Sequence, residues 1–127
     1  MPERAGRSGV EIDLVTEVSE RFDLVLCDAP CSGSGAWRRQ PAAKWDLSED
    51  RLTTLCDLQF EILNTAQDHV RSDGHLAYAT CSLLDAENDK TVDRFLLANP
   101  AWQSVDRLRL TPLEGGDGFY LNVLRRT

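Results

Sequence analysis

The sequence predicts an α/β fold with an open, mostly parallel sheet, and three observations support this prediction. Strand-like and helix-like segments alternate along the chain, as in proteins built from β-α-β units. The segment 22–28 is continuously apolar at its centre, which is typical of a parallel strand buried on both faces. Cysteine-containing motifs follow two successive strands, at the sheet edge where open α/β sheets bind their ligands.

Residues 1–21 form a leader ahead of this strand. Residues 1–9 contain two glycines and a proline, which predicts a frayed, partly disordered end. Residues 10–18 alternate apolar and polar positions, which favours an edge strand, although a short helix also fits the pattern. The strand 22–28 is expected to be central in the complete sheet.

A long helix and a second strand come next. Ser48 is a suitable N-cap, and the turn that follows it is acidic, as the helix dipole favours. Apolar residues then recur every three or four positions, so we expect a helix to about residue 71 that Asp73-Gly74 ends. Residues 75–80 form the second strand.

The C-terminal part repeats this alternation. Residues 85–99 begin with acidic side chains and carry apolar residues on one helical face, which predicts a second helix. Residues 101–110 form a weaker strand and residues 111–117 a turn-rich loop. Residues 118–124 form the last strand, which we expect to run antiparallel.

The composition is that of a single domain. The chain has 127 residues, of which 42% are hydrophobic, enough for one core. Its 21 acidic and 14 basic residues give a net charge of -7, which argues against nucleic-acid binding over a broad patch and requires any such contact to be local. No apolar run of about eighteen residues and no secretory signal occurs, so we expect a cytoplasmic protein with reduced cysteines and no membrane partner.

Two cysteine motifs define the candidate site. The motif "DAPCSGSG" spans residues 28–35 after the first apolar strand, and "TCS" spans residues 80–82 after the second. Because neighbouring strands lie about 4.8 Å apart, Cys31 and Cys81 are expected to face one crevice. The other two cysteines, at positions 27 and 56, are interpreted as small buried hydrophobic residues.

Other chemistries of these cysteines fit less well. Cys27 and Cys31 with His69 and His75 supply the ligand types of zinc, but their spacing matches no familiar zinc motif, so no metal is expected. No histidine follows a strand end in a way that would activate a hydrolytic cysteine. The glycines lack the companion residues of a phosphate-binding loop.

The motifs resemble those of the RNA cytosine-5 methyltransferases of the Sun (Fmu/Nop2) family. The stretches "FDLVLCDAPCSGSGAWRRQP", "DGHLAYATCSLLDAEND" and "GDGFYLNVLRR" carry the resemblance. The pair of Asp-Ala-Pro-Cys-Ser-Gly and Thr-Cys-Ser is specific to that family, whereas either motif alone is weak. The resemblance implies that residues 22–127 are the C-terminal part of a Rossmann-like methyltransferase domain, with S-adenosylmethionine as cofactor and ribosomal or transfer RNA as partner.

The resemblance also implies catalytic roles. Carbon 5 of cytosine is a poor nucleophile, so a thiolate must first add at carbon 6. In the family the Thr-Cys-Ser cysteine, here Cys81, supplies that thiolate, Cys31 assists release of the product, and Asp28 orients and polarises the base. DNA cytosine-5 methyltransferases instead attack with the Pro-Cys cysteine, so Cys31 remains an alternative nucleophile.

Further residues are implied as contacts of the substrate and the cofactor. Pro30 rigidifies the turn after the first strand, while Gly33 and Gly35 leave space for an unpaired base. The family contacts RNA phosphates in the loop that follows, where Trp37 or Trp45 could also stack on a nucleotide. The implied RNA-binding residues are Pro30, Ser32, Gly33, Arg38, Arg39 and Lys44, and the implied cofactor-binding residues are Asp13, Asp28 and Pro30.

The resemblance is incomplete on its N-terminal side. No glycine-rich cofactor loop and no ribose-binding acid precede residue 22, so we expect the isolated chain to bind S-adenosylmethionine weakly and to be inactive. The alternative is a non-catalytic, methyltransferase-like module that binds RNA or supports assembly. An amino-group methyltransferase is disfavoured, because it requires Asn/Asp-Pro-Pro-Tyr/Phe where this chain has Asp-Ala-Pro-Cys.

Overall fold

The computed structural model describes residues 2–127 as a four-stranded sheet with two helices packed on one face. A short helix precedes the sheet, and short stretches of 3₁₀ helix lie in several of the connections. The elements are α1 (Pro2–Arg7), β1 (Phe22–Asp28), α2 (Glu49–Ala66), β2 (Val70–Thr80), α3 (Asp89–Ala98), β3 (Trp102–Leu110) and β4 (Phe119–Arg126).

The strands lie in the order β1-β2-β4-β3. The pair β1–β2 is parallel and is joined through α2, which confirms the β-α-β unit. The pairs β2–β4 and β3–β4 are antiparallel, so the antiparallel last strand is confirmed. The expectation of a mostly parallel sheet is wrong for these four strands, because β3 and β4 pair directly with each other as sequence neighbours.

The core lies between the sheet and the helices α2 and α3. Leu76 and Tyr78 of β2 and Leu124 of β4 are fully buried, and they pack with Leu63 of α2 and Phe95 of α3. Burying such side chains stabilises the fold by about 1.5–3 kcal/mol each. The helix faces predicted from the apolar spacing are therefore the ones that meet the sheet.

Neither α2 nor α3 packs on the opposite face of the sheet, which we call the open face. Leu24 and Leu26 are each 60% exposed there, so the prediction that β1 is buried on both faces is wrong. The reason is that α2 and α3 pack on the other face, while β1 is also an edge strand whose partner is β2. The open face includes Leu24, Leu26, Ala77, Ala79, Phe119, Leu121 and Val123.

The boundary between α2 and β2 differs from the prediction. The helix begins after Ser48, whose Oγ accepts the Arg51 N–H at 3.2 Å, but it ends at Ala66 rather than near residue 71. Gly74 does not end the helix, because it lies inside β2 where the pairing with β1 shifts register. A Cβ at this position would lie 2.8 Å from the Asp23 carbonyl oxygen.

Two other segments also differ from the prediction. Residues 2–7 form a short helix instead of a frayed end, and residues 10–18 form neither a strand nor a helix. A strand requires a partner for its backbone groups, and the edge of β1 is not paired with this segment in the part of the chain described. The helix expected from residue 85 begins at Asp89, after a turn over residues 85–88.

Among residues 2–127, no helix combines the length and the apolar character that crossing a bilayer would need.

Candidate active site

The two motif cysteines meet where β1 and β2 end. The Sγ atoms of Cys31 and Cys81 lie 3.4 Å apart, which confirms that the two motifs face one crevice. The parallel pairing explains this proximity, because β1 and β2 run in register up to Asp28 and Ala79. Cys81 is exposed and Cys31 is half-buried, so one thiol is open to a ligand and the other lies just behind the surface.

The carboxylate of Glu87 connects the two cysteine loops. Its Oε1 accepts the backbone N–H of Ser32 at 2.7 Å, and its Oε2 accepts the Ser32 hydroxyl at 2.6 Å. The Ser82 hydroxyl also donates to Oε2. Ser32 and Ser82 directly follow Cys31 and Cys81, so a single side chain holds the residue after each cysteine.

Buried polar side chains surround Glu87. Gln59 of α2 donates through Nε2 to the Pro30 carbonyl at 2.9 Å and to Oε1 of Glu87 at 3.2 Å. Asn88 donates to the Ser82 carbonyl at 2.8 Å and accepts the Thr80 hydroxyl at 2.6 Å. These hydrogen bonds join the end of β1 to α2 and the end of β2 to the turn before α3, and so fix the loops in place.

Gly35 lies between the two loops and the start of β4. Its N–H donates to the Cys81 carbonyl, and its own carbonyl accepts the Gly118 N–H, each at 2.9 Å. A Cβ at Gly35 would lie 2.6 Å from both the Cys81 and the Gly118 carbonyl oxygens. The backbone approach therefore requires glycine here, whereas Gly33 is required for its positive φ of 71°.

Burial sets the ionisation of the Cys31 thiol. Desolvation, together with a smaller effect of the neighbouring Cys81, raises the pKa of Cys31 to about 12. A thiolate rather than a thiol is the nucleophile in cysteine chemistry, so Cys31 is a poor nucleophile at neutral pH in this conformation. Cys27 is 7% exposed in the core, and burial raises its pKa to about 11.

The predicted RNA-binding cations lie in the loop after Gly35. Arg38 and Arg39 are exposed and form ion pairs with Asp117 at 3.8 Å and 2.5 Å. Their pairing with an acid means that the loop is less positive than the sequence suggests. Lys44 is exposed, with its Nζ 5.8 Å from the ring centroid of Trp45, a tryptophan that is 82% exposed.

Asp28 and Pro30, two residues predicted to contact the cofactor, are exposed at the end of β1. Asp28 borders an apolar depression of about 450 Å³ on the open face. An apolar depression with a carboxylate at its rim fits one wall of a nucleoside-binding site. Asp13 lines a different depression, together with Glu17 and Glu20. The two depressions have no lining residue in common.

Glu87, Gln59 and Asn88 were not identified from the sequence. Each is fully buried and hydrogen-bonded at the site, although polar residues in such positions are usually assigned to the surface from sequence. The sequence did contain one indication that the residues after the two cysteines share a partner. The dipeptide Cys-Ser occurs in both motifs, and both serines bind the same carboxylate.

Two curated proteins are similar to this chain over most of its length. The ribosomal RNA small subunit methyltransferase B of Klebsiella pneumoniae (strain 342) is 38% identical over 117 residues, covering 85% of this chain and 27% of the relative. The enzyme of the same name from Vibrio vulnificus (strain YJ016) is 41% identical over 112 residues, covering 83% of this chain and 26% of the relative. This chain thus spans about a quarter of the length of these curated relatives.

A solved structure has a fold similar to that of this chain. The crystal structure of NSun6 from Pyrococcus horikoshii with SFG has a TM-score of 0.84 at 22% identity, covering 99% of this chain and 38% of that one. This likeness confirms the Rossmann-like methyltransferase fold. A family model described as 16S rRNA methyltransferase RsmB/F matches residues 8–124. The expected kinship with the Sun (Fmu/Nop2) RNA methyltransferases is confirmed, and this chain belongs to the 16S rRNA methyltransferase RsmB/F family.

Proposed function

We propose that the protein containing this site methylates carbon 5 of a cytosine in ribosomal RNA through a covalent cysteine adduct. The observation that carries the proposal is the pair of thiols, Cys31 and Cys81, 3.4 Å apart at the ends of two parallel strands. Ribosomal RNA is favoured over transfer RNA because the curated relatives are named for the small ribosomal subunit. Such a role implies a cytoplasmic location.

In this mechanism Cys81 is the nucleophile. Its thiolate adds to carbon 6 of cytosine, forming an S–C6 bond and leaving carbon 5 with the electron density of an enamine. The exposure of Cys81 supports the assignment, since a base must reach the sulfur. The raised pKa of Cys31 also supports it, because that thiol stays protonated at neutral pH.

When bound, S-adenosylmethionine, the cofactor of the family, would supply an electrophilic methyl group to carbon 5, with its sulfur departing as the neutral thioether. Asp28, at the rim of the apolar depression on the open face, and Pro30, two residues further along the chain, would contact it. Asp28 also polarises the base by acting as a proton donor to N3, which makes carbon 6 more electrophilic. Asp13 remains a further predicted contact of the cofactor.

Cys31 acts when the product is released. After methylation a base must remove the proton from carbon 5, so that the S–C6 bond to Cys81 can break and the aromatic ring can re-form. Cys31 lies beside the sulfur that leaves, and because its thiol stays protonated, it can donate a proton to that sulfur as the S–C6 bond breaks, while a separate base takes the proton from carbon 5. Arg38, Arg39 and Lys44 are proposed to contact RNA phosphates, with Asp117 released from the two arginines when RNA binds.

A covalent-adduct experiment tests this proposal. Because this chain spans about a quarter of its relatives, residues 8–124 would replace the matching segment of the Klebsiella pneumoniae enzyme. The chimera and its Cys31→Ala and Cys81→Ala variants are incubated with small-subunit ribosomal RNA and S-adenosylmethionine and run on a denaturing gel. We expect Cys31→Ala to accumulate an RNA adduct and Cys81→Ala to form none.

The other outcomes separate the alternatives. An adduct that persists only in Cys81→Ala would make Cys31 the nucleophile. If neither variant forms an adduct and the unsubstituted chimera transfers no methyl group, the non-catalytic module would be favoured instead. A radiolabelled methyl group that appears on an atom other than carbon 5 would refute the cytosine-5 assignment.

A further inference from the structure

Glu87 is the one fully buried carboxylate that contacts both cysteine loops among the residues described, and the mechanism above gives it no chemical step. We propose that Glu87 is a positioning residue that sets the separation of Cys31 and Cys81. The catalytic importance of this separation rests on the proposed function. The separation itself is a property of the free protein and can be measured without RNA or cofactor.

The hydrogen bonds of Glu87 divide evenly between its two oxygens. Oε1 accepts from the Ser32 backbone N–H and from Gln59 Nε2, while Oε2 accepts from the hydroxyls of Ser32 and Ser82. All four partners are donors, which matches the acceptor-only character of a carboxylate. The loop of Cys31, the loop of Cys81 and helix α2 are therefore held by one group.

Glu87 cannot act directly on a bound base, because its side chain is fully buried behind Ser32 and Ser82. Its effect reaches the thiols through the backbone. Each serine is covalently joined to the cysteine before it, so a displacement of either serine moves a sulfur atom. Reactive groups must be held within fractions of an ångström of the productive geometry, and a buried multi-donor contact provides that restraint.

A glutamine at position 87 should preserve the restraint. Its amide oxygen can take the place of Oε1 and accept the Ser32 N–H, which has a fixed direction. Its amide nitrogen can take the place of Oε2, because the hydroxyls of Ser32 and Ser82 can rotate to accept. The hydroxyl of Ser82 then donates to Ser34 Oγ, which lies 3.1 Å away.

Disulfide formation reports the separation of the thiols. Diamide takes one hydrogen from each thiol and is reduced to its hydrazine, so one S–S bond forms between Cys31 and Cys81 without another reactant. The 127-residue chain is treated with diamide under native conditions, and the Cys31–Cys81 disulfide is quantified by peptide mapping. Mapping separates it from bonds that involve Cys27 or Cys56.

We expect Glu87→Ala to form this disulfide at least about tenfold more slowly than the unsubstituted chain, because the effective concentration of the two thiols falls. Glu87→Gln should stay within about threefold of the unsubstituted rate, since it keeps the restraint. Asn99→Ala is the matched control. It removes three hydrogen bonds of a polar cluster that contacts Asn64, Gln67 and Phe95 rather than the cysteine loops.

An unchanged rate in Glu87→Ala would refute the positioning role, as would an equal slowing in Asn99→Ala, which would make the effect one of general stability. If Glu87→Ala does not unfold cooperatively in urea, Glu87→Asp replaces it. That variant keeps the carboxylate but is one methylene shorter, so it should slow disulfide formation, and a rate like that of the unsubstituted chain would refute the proposal. None of these outcomes depends on methyltransferase activity, so this proposal can fail while the proposed function stands.

Discussion

At the scale of the residue, the buried thiol of Cys31 makes a prediction about pH. Desolvation raises its pKa to about 12, so the folded protein keeps this thiol protonated far above the usual cysteine pKa of about 8.5. In Cys81→Ala, we expect alkylation of Cys31 by iodoacetamide to rise about tenfold for each pH unit between pH 7 and 10, because the thiolate fraction does so below its pKa.

The urea-unfolded protein is the control for this measurement. There the same cysteine should level off above about pH 9, since solvation restores its ordinary pKa. Rates are followed by mass spectrometry of the peptide that contains Cys31. A plateau near pH 9 in the folded protein would show that the thiol is solvated and would remove one argument for Cys81 as the nucleophile.

The sequence predicted the two cysteines of the site but not the residues that hold them. Cys31 and Cys81 follow apolar strands, and parallel strands bring their carboxyl ends to the same edge, so local patterns were sufficient. Glu87 binds Ser32 across 55 positions and Gln59 across 28. Contacts between such distant positions leave no local period, so only the folded chain reveals them.

At the scale of the element, the loops that cross at Gly35 predict a steric effect. Gly35→Ala would place a Cβ 2.6 Å from two carbonyl oxygens, and neither backbone segment can move without disturbing β4 or the Cys81 loop. We expect a loss of about 1–3 kcal/mol in the free energy of unfolding, the usual cost of overpacking. Gly116→Ala is the control, because a Cβ there meets nothing within 4 Å and φ is not positive.

Urea denaturation of both variants measures this difference. Equal midpoints for Gly35→Ala and Gly116→Ala would mean that the two loops are not in close contact in solution. A lower midpoint for Gly35→Ala alone would support the close backbone contact of Gly35 with Cys81 and with Gly118, the residue before β4.

Element boundaries were harder to predict than element types. The apolar spacing of α2 continues smoothly into Val70, but the structure ends the helix at Ala66 and pairs Val70 with Phe22. Pairing with β1 gives Val70 the hydrogen bonds of a strand, and the apolar spacing of a helix does not predict such pairing. Residues 10–18 show the reverse case, since their alternation predicted a strand but β1 offers them no pairing in the described structure.

At the scale of the whole molecule, the two long helices of residues 2–127 cover one face of the sheet. Helices α2 and α3 bury β2 and β4 from one side, while the open face leaves Leu24 and Leu26 largely in solvent. Parallel strands in α/β proteins are normally covered on both faces. The apolar residues that the sequence assigned to the core of β1 are thus divided, with Cys27 buried and Leu24 and Leu26 exposed.

This asymmetry predicts that the same substitution has different costs on the two faces. Leu76→Ala removes a fully buried side chain and should lower the free energy of unfolding by about 2–5 kcal/mol. Leu26→Ala removes a side chain that is 60% exposed and should cost about 1 kcal/mol or less. Urea denaturation of the chain at low micromolar concentration measures both values. A cost for Leu26→Ala close to that of Leu76→Ala would contradict an open face, because a leucine stabilises the fold to that extent only where other apolar groups enclose it.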